Sequence, residues 1–212
     1  LTAEERATGK FLMCCATPLA DLEIEYVPTK MPGNVPVRVY TARVMRMKLL
    51  SHDVMQLLLK VQGDEVPRFY AGQYINVLLP DGQKRSFSFA TAPHERDHIE
   101  LQIRHIAGGL FTTHVFETMK EGDTLHFEGP LGSFFLREDS RKPIIFVAGA
   151  TGFAPVKSMV EHALHAGIKR TMYLYWGVRS LRDLYLPELP RRWAREHAGF
   201  IFVPVLSEPR PE

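Results

Sequence analysis

Between Lys142 and Leu164 the chain reads KPIIFVAGATGFAPVKSMVEHAL, and this stretch narrows the possible folds more than any other. Ile144-Ile145-Phe146-Val147-Ala148 is apolar without alternation, the pattern of a strand buried on both faces in a parallel sheet. Gly149 and Gly152 follow at once and permit backbone angles and close approaches that a side chain blocks. Pro155 fixes a helical φ where its missing N–H is not needed, in the first turn of a helix. Val156, Met159, Val160, Ala163 and Leu164 then recur at helical spacing. The expected unit is strand, tight turn, helix, with Gly149, Ala150, Thr151, Gly152 and Pro155 at the joint. Free amides and the positive end of a helix dipole meet there, which suits a phosphate. An ordinary joint with no ligand carries the same pattern, and the glycine offsets depart from the usual dinucleotide fingerprint.

The rest of the last third repeats the alternation. Strands are expected at Thr171 to Trp176 and Phe200 to Leu206, and helices at Val156 to His165 and Ser180 to Glu196. That order, β-α-β-α-β, is half of a doubly wound sheet. Upstream the pattern changes. Val37 to Met47, Val54 to Val61, Gln73 to Leu79, Ser86 to Ala90, Ile99 to Arg104 and Thr124 to Glu128 read as short strands. Pro80-Asp81-Gly82 and Glu121-Gly122-Asp123 punctuate them, and the set implies a small antiparallel β-barrel. Lys30 to Pro36 reads as a linker. Before it, Thr2 with Glu4 and Glu5 opens a short helix that Gly9 closes, and Asp21 to Tyr26 alternates like a strand. This first piece is too short to bury a core of its own. The fold class is therefore α+β, a barrel of residues 36–138 followed by an α/β domain of residues 141–212, after an N-terminal piece of residues 1–29.

Bulk properties remove several classes of function. A net charge of +2 gives no reason to invoke nucleic acid or a membrane surface, and no apolar run is long enough to span a bilayer. The opening LTAEERATGK does not resemble a secretory signal. The two cysteines, Cys14 and Cys15, are adjacent and make no disulfide framework, so a reducing, cytoplasmic setting is expected. The chain does not open on Met and stops just past Phe200 to Leu206, so both ends are expected to be cut.

Two stretches of the barrel carry possible chemistry. In Arg85-Ser86-Phe87-Ser88-Phe89-Ala90, alternation puts Arg85, Phe87 and Phe89 on one face and both serines on the other. An arginine fork matches phosphates, and an aromatic side chain can cover a flat ring. A half-buried strand with a surface arginine has the same composition. In Arg104-His105-Ile106-Ala107-Gly108-Gly109-Leu110-Phe111-Thr112-Thr113 a strand runs into a Gly-Gly turn and a helix start, Thr112 to Met119. That arrangement cradles an anion or is simply a capped helix. His162 and His165 sit three apart on a helix; a solvated face explains them better than a metal.

The order of these motifs resembles the ferredoxin–NADP reductase superfamily. Arg85-Ser86-Phe87-Ser88, the Gly-Gly helix start, Glu128-Gly129-Pro130-Leu131-Gly132-Ser133-Phe134 and GATGFAP follow one another as in that family, over roughly Val37 to Leu206. The resemblance implies a barrel that holds FAD and an α/β domain that holds NAD(P)H. By it, Arg85 pairs with the flavin phosphates, and Phe87 lies against the isoalloxazine where the family often has Tyr. Ser88 hydrogen-bonds the ring nitrogen that receives hydride, and is the one catalytic position. Ser86, Gly108, Gly109, Leu110, Phe111 and Thr112 complete the flavin-binding set. Gly149, Ala150, Thr151, Gly152, Pro155 and Arg179 make the nucleotide site, with Arg182 near the same turn.

The start of the chain resembles the end of a plant-type ferredoxin domain. Leu12, Cys14 and Pro18 match a Leu-x-Cys-x-x-x-Pro setting, so Cys14 carries over as the metal ligand of a 2Fe–2S cluster. The other ligands, a C-x₄-C-x₂-C run, are absent from this sequence, which cannot hold an intact cluster by itself. The ferredoxin-first arrangement resembles reductase components of oxygenases and the CDP-6-deoxy-3,4-glucoseen reductases, and LMCCATPLADLEIE with GPLGSFFLR leans to the latter. Electrons would run from NAD(P)H through FAD to the cluster and on to a partner, an oxygenase or a sugar dehydratase component. A free-flavin reductase and a flavin- or nucleotide-binding module without turnover are the alternatives.

Overall fold

The computed structural model describes residues 2–11, 16–23, 33, 35–63 and 66–209. It falls into two units, Leu1–Pro32 and Gly33–Glu212. In the first, α1 (Ala3–Ala7) forms where Thr2, Glu4 and Glu5 place it. The Thr2 hydroxyl accepts the Glu5 amide at 3.1 Å while the Glu5 carboxylate accepts the Thr2 amide at 2.8 Å, a reciprocal cap. Gly9, at φ 81°, follows the helix. Asp21 to Glu23, expected to open a strand, are irregular and exposed. Leu12, Cys14, Cys15 and Ile24 to Tyr26 lie outside the described residues.

The second unit opens with six strands: β1 (Arg38–Ser51), β2 (Val54–Val61), β3 (Tyr74–Leu78), β4 (Lys84–Ser88), β5 (Ile99–Arg104) and β6 (Thr124–Leu131). They form one antiparallel sheet in the order β4-β3-β6-β1-β2-β5. α2 (Leu110–Glu117) links β5 to β6 and sends Phe111 and Val115 into the core. That core is built on Leu57, Leu59, Ile75, Phe89, Leu101 and Phe127, all fully buried. The expected closed barrel is not reached. β4 and β5 end the sheet at opposite edges and share no ladder. Just past β4, the Ala90 amide donates to the Glu100 carbonyl at 2.9 Å. β4 is short and leaves the sheet before a second ladder can form, so a gap stays open between the two edge strands.

Three parallel strands follow, β7 (Ile144–Gly149), β8 (Met172–Val178) and β9 (Phe200–Leu206), in that spatial order. α3 (Phe153–His165) and α4 (Glu188–Glu196) join them. Phe153, Val156 and Val160 of α3 and Trp193 of α4 pack on Phe146, Leu174, Trp176 and Phe200, one face of the sheet. Phe153 stacks on Trp176 with centroids 3.9 Å apart. The opposite face of β7 is open, with Ile145 67% and Val147 78% exposed. The expectation of a strand buried on both faces is corrected here: β7 is buried on one face, and α3 and α4 both lie there, as the helices of one half of a doubly wound sheet do. The helix expected from Ser180 to Glu196 also splits into a 3₁₀ turn, Leu181–Asp183, and α4. Pro187 has no amide to donate and disfavours a helical Leu186 before it.

His165 is exposed and His162 half-buried, and both have side-chain neighbours. His94, between β4 and β5, stacks on His165 with ring centroids 3.7 Å apart. His162 lies 6.4 Å from His94 and bonds Glu138 at 3.1 Å. Among the described residues no group of His, Cys, Asp and Glu is arranged to hold a metal. Burial, followed by the charge of His165, pushes the His94 pKa below its ordinary 6.5, although Glu95 pulls it up. The native state therefore binds this proton less well than the unfolded chain. Stability is complete above about pH 6.5 and falls as pH drops toward the native value. Urea midpoints measured downward from neutral pH should show this decline, and His94→Phe, which keeps a stacking ring, should flatten it.

Candidate functional site

A cleft of about 540 Å³ opens at the gap between β4 and β5. Arg85, Ser86, Phe87 and Ser88 form its β4 wall, and Gln102 and Arg104 its β5 wall. Ile106 and Thr112 close one end, and Thr151, Gly152 and Ala154 bring in the start of α3. The Arg85 guanidinium bonds only its neighbours, the Lys84 carbonyl at 2.9 Å and the Gln83 side chain at 2.6 Å, and has no carboxylate partner among the described residues. It is a cation without a counter-charge. Ser86 donates to Asn76 at 2.7 Å, and Asn76 and Lys84 both bond Glu128, so that serine is already engaged. The Ser88 hydroxyl has no hydrogen bond among the described residues, which leaves it as a donor. Phe87 is half-buried and backed by Phe111, with centroids 5.4 Å apart.

The glycine turn before α2 is shaped from within. Thr112 Oγ1 accepts the Ile106 amide at 3.1 Å and lies within 3.3 Å of the Gly109 carbonyl. A Cβ on Gly109 would sit 2.7 Å from that oxygen and 3.0 Å from the Ile106 carbonyl, so only glycine fits. Gly108 takes φ 75°. Leu110 is exposed and Phe111 is in the core, so of residues 108–112 Thr112 alone lines the cleft.

The joint before α3 differs from expectation in its backbone. The left-handed residue is Ala150, at φ 46°, whereas Gly149 and Gly152 have negative φ. Ala150 is held there by the Trp176 indole N–H, which donates to its carbonyl at 2.9 Å. A Cβ on Gly149 or Gly152 meets nothing within 4 Å, so both glycines keep backbone open to the clefts. The 3₁₀ turn Ala150–Gly152 has no side-chain cap and runs straight into α3, whose first amide, on Phe153, donates to the Ala150 carbonyl; the amides of the turn itself are the ones left for an anion. Pro155 is buried in the first turn of α3 and lines neither cleft.

A second cleft, of about 290 Å³, lies at the carboxyl ends of β7, β8 and β9, where open α/β sheets take ligands. Gly149, Ala150, Gly177, Arg179 and Val205 line it from the parallel sheet, and Asp53 and Arg104 from the antiparallel one. Arg179 is exposed at its rim. Arg85 and Gly149 thus line different clefts, which adjoin at Arg104. That residue is fixed by an Nε bond to Asp53 Oδ2 at 2.8 Å. Asp183 accepts the Ser180 amide and hydroxyl, each at 2.9 Å. Burial raises its pKa, but those bonds and His52 outweigh it and hold the carboxyl below its usual value.

Beneath both clefts runs a polar network that the sequence did not disclose. Lys157 Nζ, buried, bonds the Ala90 carbonyl at 3.0 Å, Glu100 at 3.0 Å and Glu161 at 2.9 Å. Burial alone would push Glu100 up and Lys157 down. The mutual attraction reverses both, holding Glu100 low and Lys157 high, while burial leaves Glu161 raised. Gln102 donates to Glu100 at 2.9 Å and accepts from the Tyr185 hydroxyl at 2.7 Å. The i,i+4 pair Lys157–Glu161 was the one available signal. Glu100 and Gln102 alternate with Ile99, Leu101 and Ile103 and read as a solvent face.

An unpaired guanidinium, an aromatic face, a free hydroxyl and two uncapped helix starts fit ligands with phosphates and flat rings. Comparison with known proteins agrees. Residues 41–136 match the model of the oxidoreductase FAD-binding domain and residues 146–212 that of the oxidoreductase NAD-binding domain. The chain is 35% identical over 207 residues to the CDP-6-deoxy-L-threo-D-glycero-4-hexulose-3-dehydrase reductase of Yersinia pestis, covering 98% of this chain and 62% of that protein. It is 36% identical over 202 residues to the terephthalate 1,2-dioxygenase reductase component 2 of a Comamonas species, covering 95% and 60%. The crystal structure of the Amycolatopsis cytochrome P450 reductase GcoB superposes with a TM-score of 0.79 at 36% identity, covering 100% of this chain and 64% of that one. The chain thus spans about three-fifths of the length of the curated relatives it matches. Because the two domain models match in tandem over more than half of its residues, the chain belongs to the oxidoreductases built from a FAD-binding domain followed by a NAD-binding domain.

Proposed function

We propose that the chain is the flavin- and nucleotide-binding part of an NAD(P)H-dependent reductase that passes electrons through FAD to a 2Fe–2S centre and on to a partner enzyme. The observation that carries the reading is the pair of clefts that adjoin at Arg104, one with phosphate- and ring-binding groups, the other at the carboxyl edge of the parallel sheet. In this reading residues 36–138 hold FAD and residues 141–212 hold the nicotinamide nucleotide. Bound FAD supplies the step from a two-electron donor to one-electron acceptors.

The side chains bind and orient. Arg85 pairs with flavin phosphates, and the turn from Gly109 to Thr112 wraps the pyrophosphate. Phe87, backed by Phe111, supports the flat ring. Ser88 donates its free hydroxyl to the ring nitrogen that receives hydride. Amides from Gly149 to Gly152 meet the nucleotide phosphates, with Arg179 at the rim. No side chain acts as a nucleophile. Cys14 would be one cluster ligand, and residues 1–29 the end of a ferredoxin-like domain. Relatives named as reductases of a dioxygenase and of a hexulose dehydrase support an electron-accepting enzyme as partner. No helix among the described residues is long and apolar enough to cross a membrane.

The test is the absorption spectrum of the purified protein, followed by NAD(P)H oxidation with ferricyanide. Flavin bands together with nucleotide-dependent ferricyanide reduction are expected. Flavin binding with no oxidation of either nucleotide would instead support a binding module.

A further inference from the structure

Each cleft takes its lining from both domains, and one buried chain of hydrogen bonds joins their walls. Tyr185 lines the second cleft and Gln102 the first, and both are almost fully buried. The Tyr185 hydroxyl donates to Gln102 Oε1 at 2.7 Å. Gln102 Nε2 in turn donates to Glu100 Oε1 at 2.9 Å, and Glu100 Oε2 accepts from Lys157 of α3 at 3.0 Å. The first turn of that same helix, through Gly152 and Ala154, returns to the wall of the first cleft. We infer that the Tyr185–Gln102 hydrogen bond is a positioning device, which sets the approach of the nucleotide cleft to the flavin cleft and so the geometry of hydride transfer.

Several features favour this role over packing alone. The Tyr185 ring already has its apolar partners, lying edge-on to Trp176 with centroids 5.0 Å apart and 6.1 Å from Phe153. The hydroxyl is therefore not needed to fill the core. Burial, then the charge of Glu100, pushes the phenol well above its ordinary pKa of 10, so it remains a donor. Gln102 can satisfy both of its neighbours only in one orientation, because its oxygen must face Tyr185 and its nitrogen Glu100. A bond that links one wall to the other fixes distance where small displacements matter most: about 1 Å of misplacement costs on the order of a hundredfold in rate. Each side chain, although it lines a cleft, is almost fully buried and engages its polar atoms in this chain of bonds, so both act through position.

The inference rests on the two-cofactor reading above, and the experiment separates the two. FAD-loaded full chain is mixed anaerobically with NADH or NADPH, and the flavin band is followed through a single turnover. Tyr185→Phe, Gln102→Leu and the double variant are compared with wild type. Flavin dissociation constant, thermal midpoint and the long-wavelength absorption of a nicotinamide stacked on flavin are measured alongside. The expected result is a limiting rate lowered about tenfold or more in each single variant and no further in the double. The stacking absorption weakens, while nucleotide concentration dependence and flavin affinity change less than about twofold. Equal limiting rates in Tyr185→Phe and wild type overturn the inference. A fall that only tracks the loss of folded or flavin-loaded protein, or that adds up in the double variant, overturns it too. Failure of the wild type to bleach with either nucleotide overturns the functional reading itself, and the inference with it.

Discussion

Replacing Lys157 with methionine should lower the free energy of unfolding by about 3–5 kcal/mol near neutral pH. Lys157 is buried and gives its three N–H bonds to the Ala90 carbonyl, Glu100 and Glu161. Methionine restores the volume but leaves Glu100 buried with neutral Gln56 and Gln102 beside it and no cation. The sign of the pH dependence follows. With its cation gone, burial, the largest influence, outweighs the hydrogen bonds from Gln56 and Gln102, and the Glu100 carboxyl rises above its unfolded value of 4.5. The variant then has stability that is present below that value and lost as pH rises, so its deficit is smallest in acid. Adding Glu100→Gln removes the stranded charge and should recover most of the loss. Urea unfolding of wild type, single and double variants measures this. A single-variant loss under about 1 kcal/mol would mean the pair behaves as a solvated surface bridge.

Arg85→Ala should weaken FAD binding by about 1.5–3 kcal/mol, roughly ten- to a hundredfold in dissociation constant. The fold should not notice, since Arg85 bonds only Gln83 and Lys84; unfolding should stay within about 0.5 kcal/mol of wild type. Arg85→Lys keeps the charge without the planar fork and should recover part of the affinity. Fluorescence titration with FAD at two salt concentrations reads the effect, and the arginine's contribution should shrink in high salt. Unchanged flavin affinity in Arg85→Ala would remove the phosphate role from β4.

Local pattern carried a good deal of this fold. β2 and β5 occupy the spans that alternation and turn residues predict, and α1 begins where Thr2 and Glu5 can cap each other. What failed was set by partners distant in sequence. The open gap between β4 and β5 depends on where β4 leaves the sheet. The one-sided burial of β7 depends on which face receives α3 and α4, which a run of apolar residues does not encode. Glycines at 149 and 152 pointed to the turn, but the left-handed residue is Ala150, held by an indole 26 positions away. Glu100 and Lys157 meet across 57 residues, and the His94–His165 stack is equally invisible until the domains dock. For the candidate site, the sequence located the cleft walls at Arg85 to Ser88, Thr112 and Gly149 to Gly152. It missed Gln102 and Tyr185 and named Arg104 only as the start of the glycine-turn stretch; the significance of all three comes from lying where the two walls join.

The central claim is that two redox rings meet where the clefts adjoin. It is tested most directly by adding one equivalent of NADH or NADPH, without oxygen, to the FAD-loaded protein. Bleaching of the flavin band, slowed when the transferred hydrogen of the nucleotide is deuterium, is the predicted result. A protein that binds flavin and nucleotide together while the flavin stays oxidised would contradict it.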